Sequence, residues 1–220
     1  MPTRAVLLDF NGLLADTENV HVAAWQRTLR VLGWAEPEES CLRALEVDDE
    51  AFLREVFARR KVEAGDLPGW VGRKRALTVE LLRDRPRLQP GAAELVQALR
   101  EAGVALGVVT TARRANVETV LAATGLLDAF DVVVAGDDVA HPKPDPEPYR
   151  RALDRLGIDP ADAVALEDSS TGLASARGAG LRAVAVAPTR PAADEAGPDA
   201  AVAWLPGLDD LPAVLAALGV

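Results

Sequence analysis

The chain has 220 residues, 49% of them hydrophobic, which is enough for one large domain or a core carrying an insertion. Its 34 acidic and 24 basic residues give a net charge of −10, which argues against nucleic acid or an anionic membrane as partner, since both call for positive surface. A single cysteine, Cys41, excludes an internal disulfide framework, and no apolar run nears the roughly 18 residues of a membrane span, so a soluble cytoplasmic protein is expected.

The first element is the apolar run AVLLDF (5–10), which reads as a strand running into Asp9 and is too short for the apolar part of a signal peptide. After it, residues 17–85 carry no strand signal. ENVHVAAWQRTLRVLG (18–33), DEAFLREVFARRKVE (49–63) and WVGRKRALTVELLRD (70–84) have helical periodicity with charged faces. EVDDE (46–50) reads as the acidic start of a helix. Trp25, Trp34 and Trp70 fall at helical positions and read as packing residues. The segment DRPRLQPG (84–91) punctuates the chain as a Pro-rich linker.

Beyond it the pattern changes. Helical GAAELVQALREAG (91–103) precedes the strand-like VALGVVT (104–110), and helical RANVETVLAATG (114–125) precedes DVVVAG (131–136). PEPYRRALDRLG (146–157), with Asp145 and Gly157 as expected caps, leads to AVALED (163–168), and TGLASARGAG (171–180) leads to AVAV (183–186). Strands alternating with helices of this length predict a doubly wound, Rossmann-like parallel sheet. The expected division is an α/β core over 1–15 and 87–220, interrupted by a helical insertion over 16–86.

In such a sheet, ligands bind at the carboxyl ends of the strands. Asp9 falls there after the first strand, Thr110 and Thr111 after the second, and Glu167 and Asp168 after the fourth. Lys143, one of only three lysines, follows the third strand in AHPKPDP, where Pro144 favours extended backbone before it. Three carboxylates at one edge repel unless a cation lies among them, and a hard, oxygen-binding ion such as Mg²⁺ suits them. A lysine ammonium and a threonine hydroxyl beside them make a cradle for a tetrahedral dianion.

The segments LLDFNGLLADTE, GVVTTA, HPKPDPEPY and ALEDSSTGLASARGAG, in this order across residues 5–190, resemble the motifs of the haloacid dehalogenase superfamily. The likeness is to its members with a helical cap, small phosphatases and β-phosphoglucomutase among them. The resemblance implies an aspartyl-phosphate on Asp9, with Thr110 and Lys143 holding the phosphoryl oxygens. It implies Mg²⁺ on Asp9, the backbone carbonyl of Asn11 and Asp168, with Glu167 beside it or bound through water. Substrate contacts would come from Gly12, Thr111, Ala112 and Arg113, and on the cap from His21, Arg43 and Lys74, with Arg114 a further cation for an anionic leaving group. The cap would close over the site and exclude water. The expected substrate is a small phosphorylated metabolite, taken by a monomer or weak homodimer. The stretch 188–211 resembles the family's closing loop, short strand and terminal helix.

One residue departs from the pattern. The family's phosphatases have an aspartate where this chain has Asn11, and that acid protonates the leaving oxygen and later deprotonates water. An amide does neither, and general acid–base catalysis is worth typically 10²–10⁴-fold. Three readings stand: a slower enzyme suited to good leaving groups, with His21 or Asp16 as surrogate base; a phosphate-binding protein without turnover; or an asparagine introduced to trap a complex. A phosphosugar mutase is the runner-up, although Asn11 removes its proton acceptor too. A receiver-type phosphoacceptor would be near 120 residues and lack the insertion, and a dehalogenase would have no use for Glu167 and Asp168.

Overall fold

The computed structural model describes residues 3–45, 47–63, 65–186 and 203–220. It divides into two compact units, one of Met1–Asp16 with Arg87–Val220 and one of Thr17–Pro86.

The first unit is built on six parallel strands: β1 (Ala5–Leu8), β2 (Ala105–Val109), β3 (Val132–Val134), β4 (Ala163–Glu167), β5 (Arg182–Val186) and β6 (Ala203–Leu205). Their spatial order is β3-β2-β1-β4-β5-β6. Every residue of β1 and β4 is buried, which is why both read as unbroken apolar runs rather than as alternating ones. Leu7, Val109, Val134, Ala165 and Ala183 pack with Tyr149, Ala152 and Leu173 in one apolar cluster.

The chain runs outward from β1 through β2 to β3, then crosses back to place β4 on the other side of β1. The reversal of strand order therefore falls between β1 and β4, where the carboxyl ends of an open sheet leave a crevice. Leu8 is in register with both Val108 and Leu166, so the residues that follow these three strands emerge side by side. The first four strands are shorter than the runs read from the sequence, whereas β5 begins one residue earlier, at Arg182. Asp9 and Asp168 each lie one residue past a strand end, and Asp9 N–H still donates to Leu166 O at 3.0 Å.

The second unit holds four helices, α1 (Glu18–Arg30), α2 (Glu38–Leu42), α3 (Asp49–Arg59) and α4 (Leu67–Asp84). The acidic stretch does begin a helix, because Asp48 caps α3 by accepting from the N–H groups of Glu50 and Ala51. Trp25 lies in an apolar core with Leu29, Phe52, Val56 and Phe57, and Trp34 and Trp70 pack against that core. Trp25 meets Phe52 at 4.9 Å between ring centroids.

Among the described residues, the other α-helices belong to the first unit: α5 (Ala92–Glu101), α6 (Arg114–Ala123), α7 (Glu147–Leu156), α8 (Ser170–Gly178) and α9 (Leu211–Leu218). Helix α7 starts one residue later than the sequence pattern suggests. Pro146 takes the cap position, Asp145 accepts from Glu147 N–H at 2.8 Å, and Gly157 closes the helix in the left-handed region. The expected closing loop lies outside the described residues as far as 202; β6 and α9 follow it. Among the described residues no helix is long and apolar enough to cross a membrane.

A polar group is buried inside the helical unit. Lys74 Nζ donates to Asp49 Oδ1 at 2.8 Å and to His21 Nδ1 at 3.2 Å, and it lies over the Trp25 ring. Burial, joined by the Lys74 ammonium and opposed by Asp49, pushes His21 down from 6.5 to about 4. The unfolded imidazole takes up its proton at a higher pH than the folded one, so the His21 contribution to stability falls as the pH drops from 6.5 toward 4. In urea unfolding at about pH 7 and about pH 5, the unsubstituted protein should lose more stability than His21→Gln, by at most about 1.4 kcal/mol per pH unit. An equal loss in both proteins would contradict this assignment.

Candidate active site

Four segments meet at the crevice between β1 and β4. Lys143 reaches in from the loop after β3 and is buried, and its Nζ donates three hydrogen bonds: to Asp9 Oδ1 at 2.6 Å, Glu167 Oε1 at 2.5 Å and Val109 O at 2.8 Å. These acceptors stand at the ends of β1, β4 and β2, and three is all an ammonium can supply. The Lys143–Pro144 peptide is cis. Burial works against the Lys143 charge, but Asp9 and Glu167 outweigh it and the net shift is upward.

Asp9, Glu167 and Asp168 each present a carboxylate oxygen, all within 4.8 Å of one another. Burial first, then the Asp9 charge, pushes the Glu167 carboxyl up despite the Lys143 ammonium beside it. Asp168 is raised by burial and by the charges of Asp9 and Glu167. Crowded carboxylates that resist ionisation in this way are what a cation between them relieves, and an all-oxygen set fits a hard divalent ion.

Two glycines make room for these acids. Gly12 has φ +80°, and a Cβ there would stand 2.0 Å from Asp168 Oδ2. A Cβ on Gly172, in the first turn of α8, would stand 1.9 Å from Glu167 Oε2. The first-motif loop is held by Gly12 N–H donating to Ala15 O at 2.9 Å. Asn11 lies in that loop, bridged to Ala15 and half-buried.

Thr110 is buried directly after β2, where its Oγ1 accepts from Ala112 N–H at 3.0 Å. Thr111 and Ala112 continue that turn, and Arg113 stands at the cap of α6, 3.5 Å from Asp137. Arg114, expected as a cation for the leaving group, is taken up within the sheet unit: it bonds Glu118, Val133 O and Asp138. His21, Arg43 and Lys74 lie in the helical unit. His21 and Lys74 are in the buried group described above, and Arg43 is 3.7 Å from Glu55.

The sequence reading missed Tyr149, whose hydroxyl donates to Glu167 Oε1 at 2.6 Å, and the space-making role of Gly172. Tyr149 is the chain's only tyrosine and follows Lys143 by six residues, a signal that had no meaning until α7 was seen to pack on the sheet.

The sequence profile of the haloacid dehalogenase-like hydrolases matches residues 6–186. The chain belongs to that family. CbbY from Rhodobacter capsulatus is 38% identical over 84% of this chain and 85% of its own length. A phosphoglycolate phosphatase from Cupriavidus necator is 36% identical over 82% of this chain and 79% of its own. Among solved structures, CbbY from Rhodobacter sphaeroides in complex with phosphate superposes with a TM-score of 0.82 at 34% identity, covering both chains completely. A mutant of the same protein with an asparagine in place of an aspartate, in complex with xylulose-(1,5)bisphosphate, gives 0.80 at 35%, again over both whole chains.

The close approach of Gly172 yields a direct test. Alanine is the better helix former, by up to about 1 kcal/mol, so Gly172→Ala should not cost α8. Its Cβ must instead displace Glu167. Calorimetric titration should then show divalent-cation binding weakened about tenfold or more. Unchanged binding would mean that the carboxylate has somewhere else to go.

Proposed function

We propose that this protein is a Mg²⁺-dependent phosphatase of small phosphorylated metabolites, working through an aspartyl-phosphate on Asp9 and slowed by Asn11. The observation that carries the reading is the meeting of Asp9, Lys143, Glu167 and Asp168 at the sheet's switch point. Sugar phosphates are the substrate class we favour, supported by the CbbY relatives and by the sugar bisphosphate bound to one of them.

Asp9 and Asp168, with the backbone carbonyl of Asn11, would hold the ion, and Glu167 would stand beside it. The ion would screen the phosphate's charge from the carboxylates and polarise the phosphorus–oxygen bonds. A carboxylate oxygen of Asp9 attacks phosphorus as the bond to the leaving oxygen breaks. Lys143 and the Thr110 hydroxyl stabilise the charge that gathers on the transferring phosphoryl oxygens. Water then attacks the aspartyl-phosphate, and the P–O bond to Asp9 breaks to release phosphate and restore the carboxylate. Position 11 carries no proton in either half, so it neither protonates the leaving group nor takes the proton of the attacking water. Acyl phosphates and other good leaving groups should therefore react best. We read Thr17–Pro86 as the unit that recognises the leaving group, with Arg43 among its candidate contacts.

A panel of phosphate esters and acyl phosphates, run with Mg²⁺ on this protein and on Asn11→Asp, tests the reading. Phosphate release should rise about 10²-fold or more with Asn11→Asp. Asp9→Ala should abolish it in both backgrounds. Full activity in Asp9→Ala would rule out the nucleophile, and no release by either protein from any compound would leave a binding role as the better account.

A further inference from the structure

We propose that Tyr149 is a positioning residue of this site, acting through Glu167 on Lys143. The inference rests on the phosphotransfer reading above. The Tyr149 ring is fully buried, where phenylalanine would fill the same space, so the hydroxyl calls for a reason of its own. Its Oη donates at 2.6 Å to Glu167 Oε1, the same oxygen that accepts from Lys143 Nζ at 2.5 Å. The ammonium also lies 5.3 Å from the centroid of the Tyr149 ring. Lys143 and Tyr149 thus close the segment between them into a loop pinned at one carboxylate oxygen.

The other oxygen of Glu167 is also confined. Ser169 Oγ approaches Oε2 at 3.3 Å, and Gly172 faces the carboxylate so closely that a Cβ there would stand 1.9 Å from Oε2 and 2.2 Å from Oε1. Glu167 is therefore fixed on both oxygens by this chain, and its place determines where the ammonium stands between Asp9 and Val109 O. Without the hydroxyl, Oε1 keeps Lys143 as its one donor among the described residues, and the carboxylate is held less firmly on that side. The ammonium, still bonded to Asp9 and Val109 O, then loses one of the constraints on its place. A group placed to meet charge that develops only as phosphorus is transferred affects the transition state more than the bound substrate.

The test compares Tyr149→Phe with the unsubstituted protein, with Mg²⁺ present, in three measurements. First, kcat for phosphate release should fall about tenfold with KM within about twofold, since a hydrogen bond to a charged group is at stake. Second, calorimetry should show orthovanadate, which mimics the five-coordinate phosphorus, binding about tenfold more weakly. Third, in a Glu167→Gln background the same substitution should change vanadate binding less than about twofold, because its route is gone. Equal vanadate binding with and without the hydroxyl overturns the inference, and so does a loss of the same size in the Glu167→Gln background. Failure of the unsubstituted protein to release phosphate overturns the phosphatase reading instead, while the vanadate comparison still decides the role of Tyr149.

Discussion

One ammonium holds the working end of this molecule together. Lys143 gives its three protons to Asp9, Glu167 and Val109 O, and so ties the ends of β1, β4 and β2 at the place where the strand order reverses. Breaking such a buried pair from one side leaves an uncompensated charge worth about 3–5 kcal/mol. The lysine accounts for only part of the local charge, since Asp9, Glu167 and Asp168 converge there. The carboxyls of Glu167 and Asp168 are pushed up by burial and by the neighbouring charges that remain, and a divalent ion is the simplest way to relieve them.

The sheet determines that these groups meet at all. Because Leu8 pairs with both Val108 and Leu166, the residues just past β1, β2 and β4 are brought abreast although Thr110 and Asp168 lie about 100 and 160 positions from Asp9 in sequence. Each side chain then has to fit among the others. Gly12 and Gly172 are bare where Asp168 and Glu167 need the space. Tyr149 and Ser169 take up the hydrogen-bonding capacity of Glu167 that Lys143 leaves.

Much of this was legible in the sequence, for a physical reason. Strands buried on both faces are unbroken apolar runs, so β1 and β4 announced themselves, and a charged residue directly after such a run has to lie at a strand end. What lay hidden were relations across the sheet. Nothing in a row of letters says that Tyr149 faces Glu167, or that Gly172 is bare because a carboxylate lies 1.9 Å from where its Cβ would be. Arg114 misled for the same reason. Its charge was visible, but Asp138 and Val133 O, which take up that charge, became neighbours only on folding.

Asn11 turns the proposed mechanism into something observable. If Asp9 is the nucleophile and no base at position 11 drives water onto the intermediate, the second half of the cycle is the slower one, and the phosphoenzyme should accumulate. The decisive measurement is to mix the protein with acetyl phosphate and Mg²⁺, quench in acid, and map the modified peptide by mass spectrometry. The account predicts one added phosphoryl group on the peptide containing Asp9, lost faster in Asn11→Asp. Phosphate release with no phosphoryl group on Asp9, or with one on another residue, would contradict it.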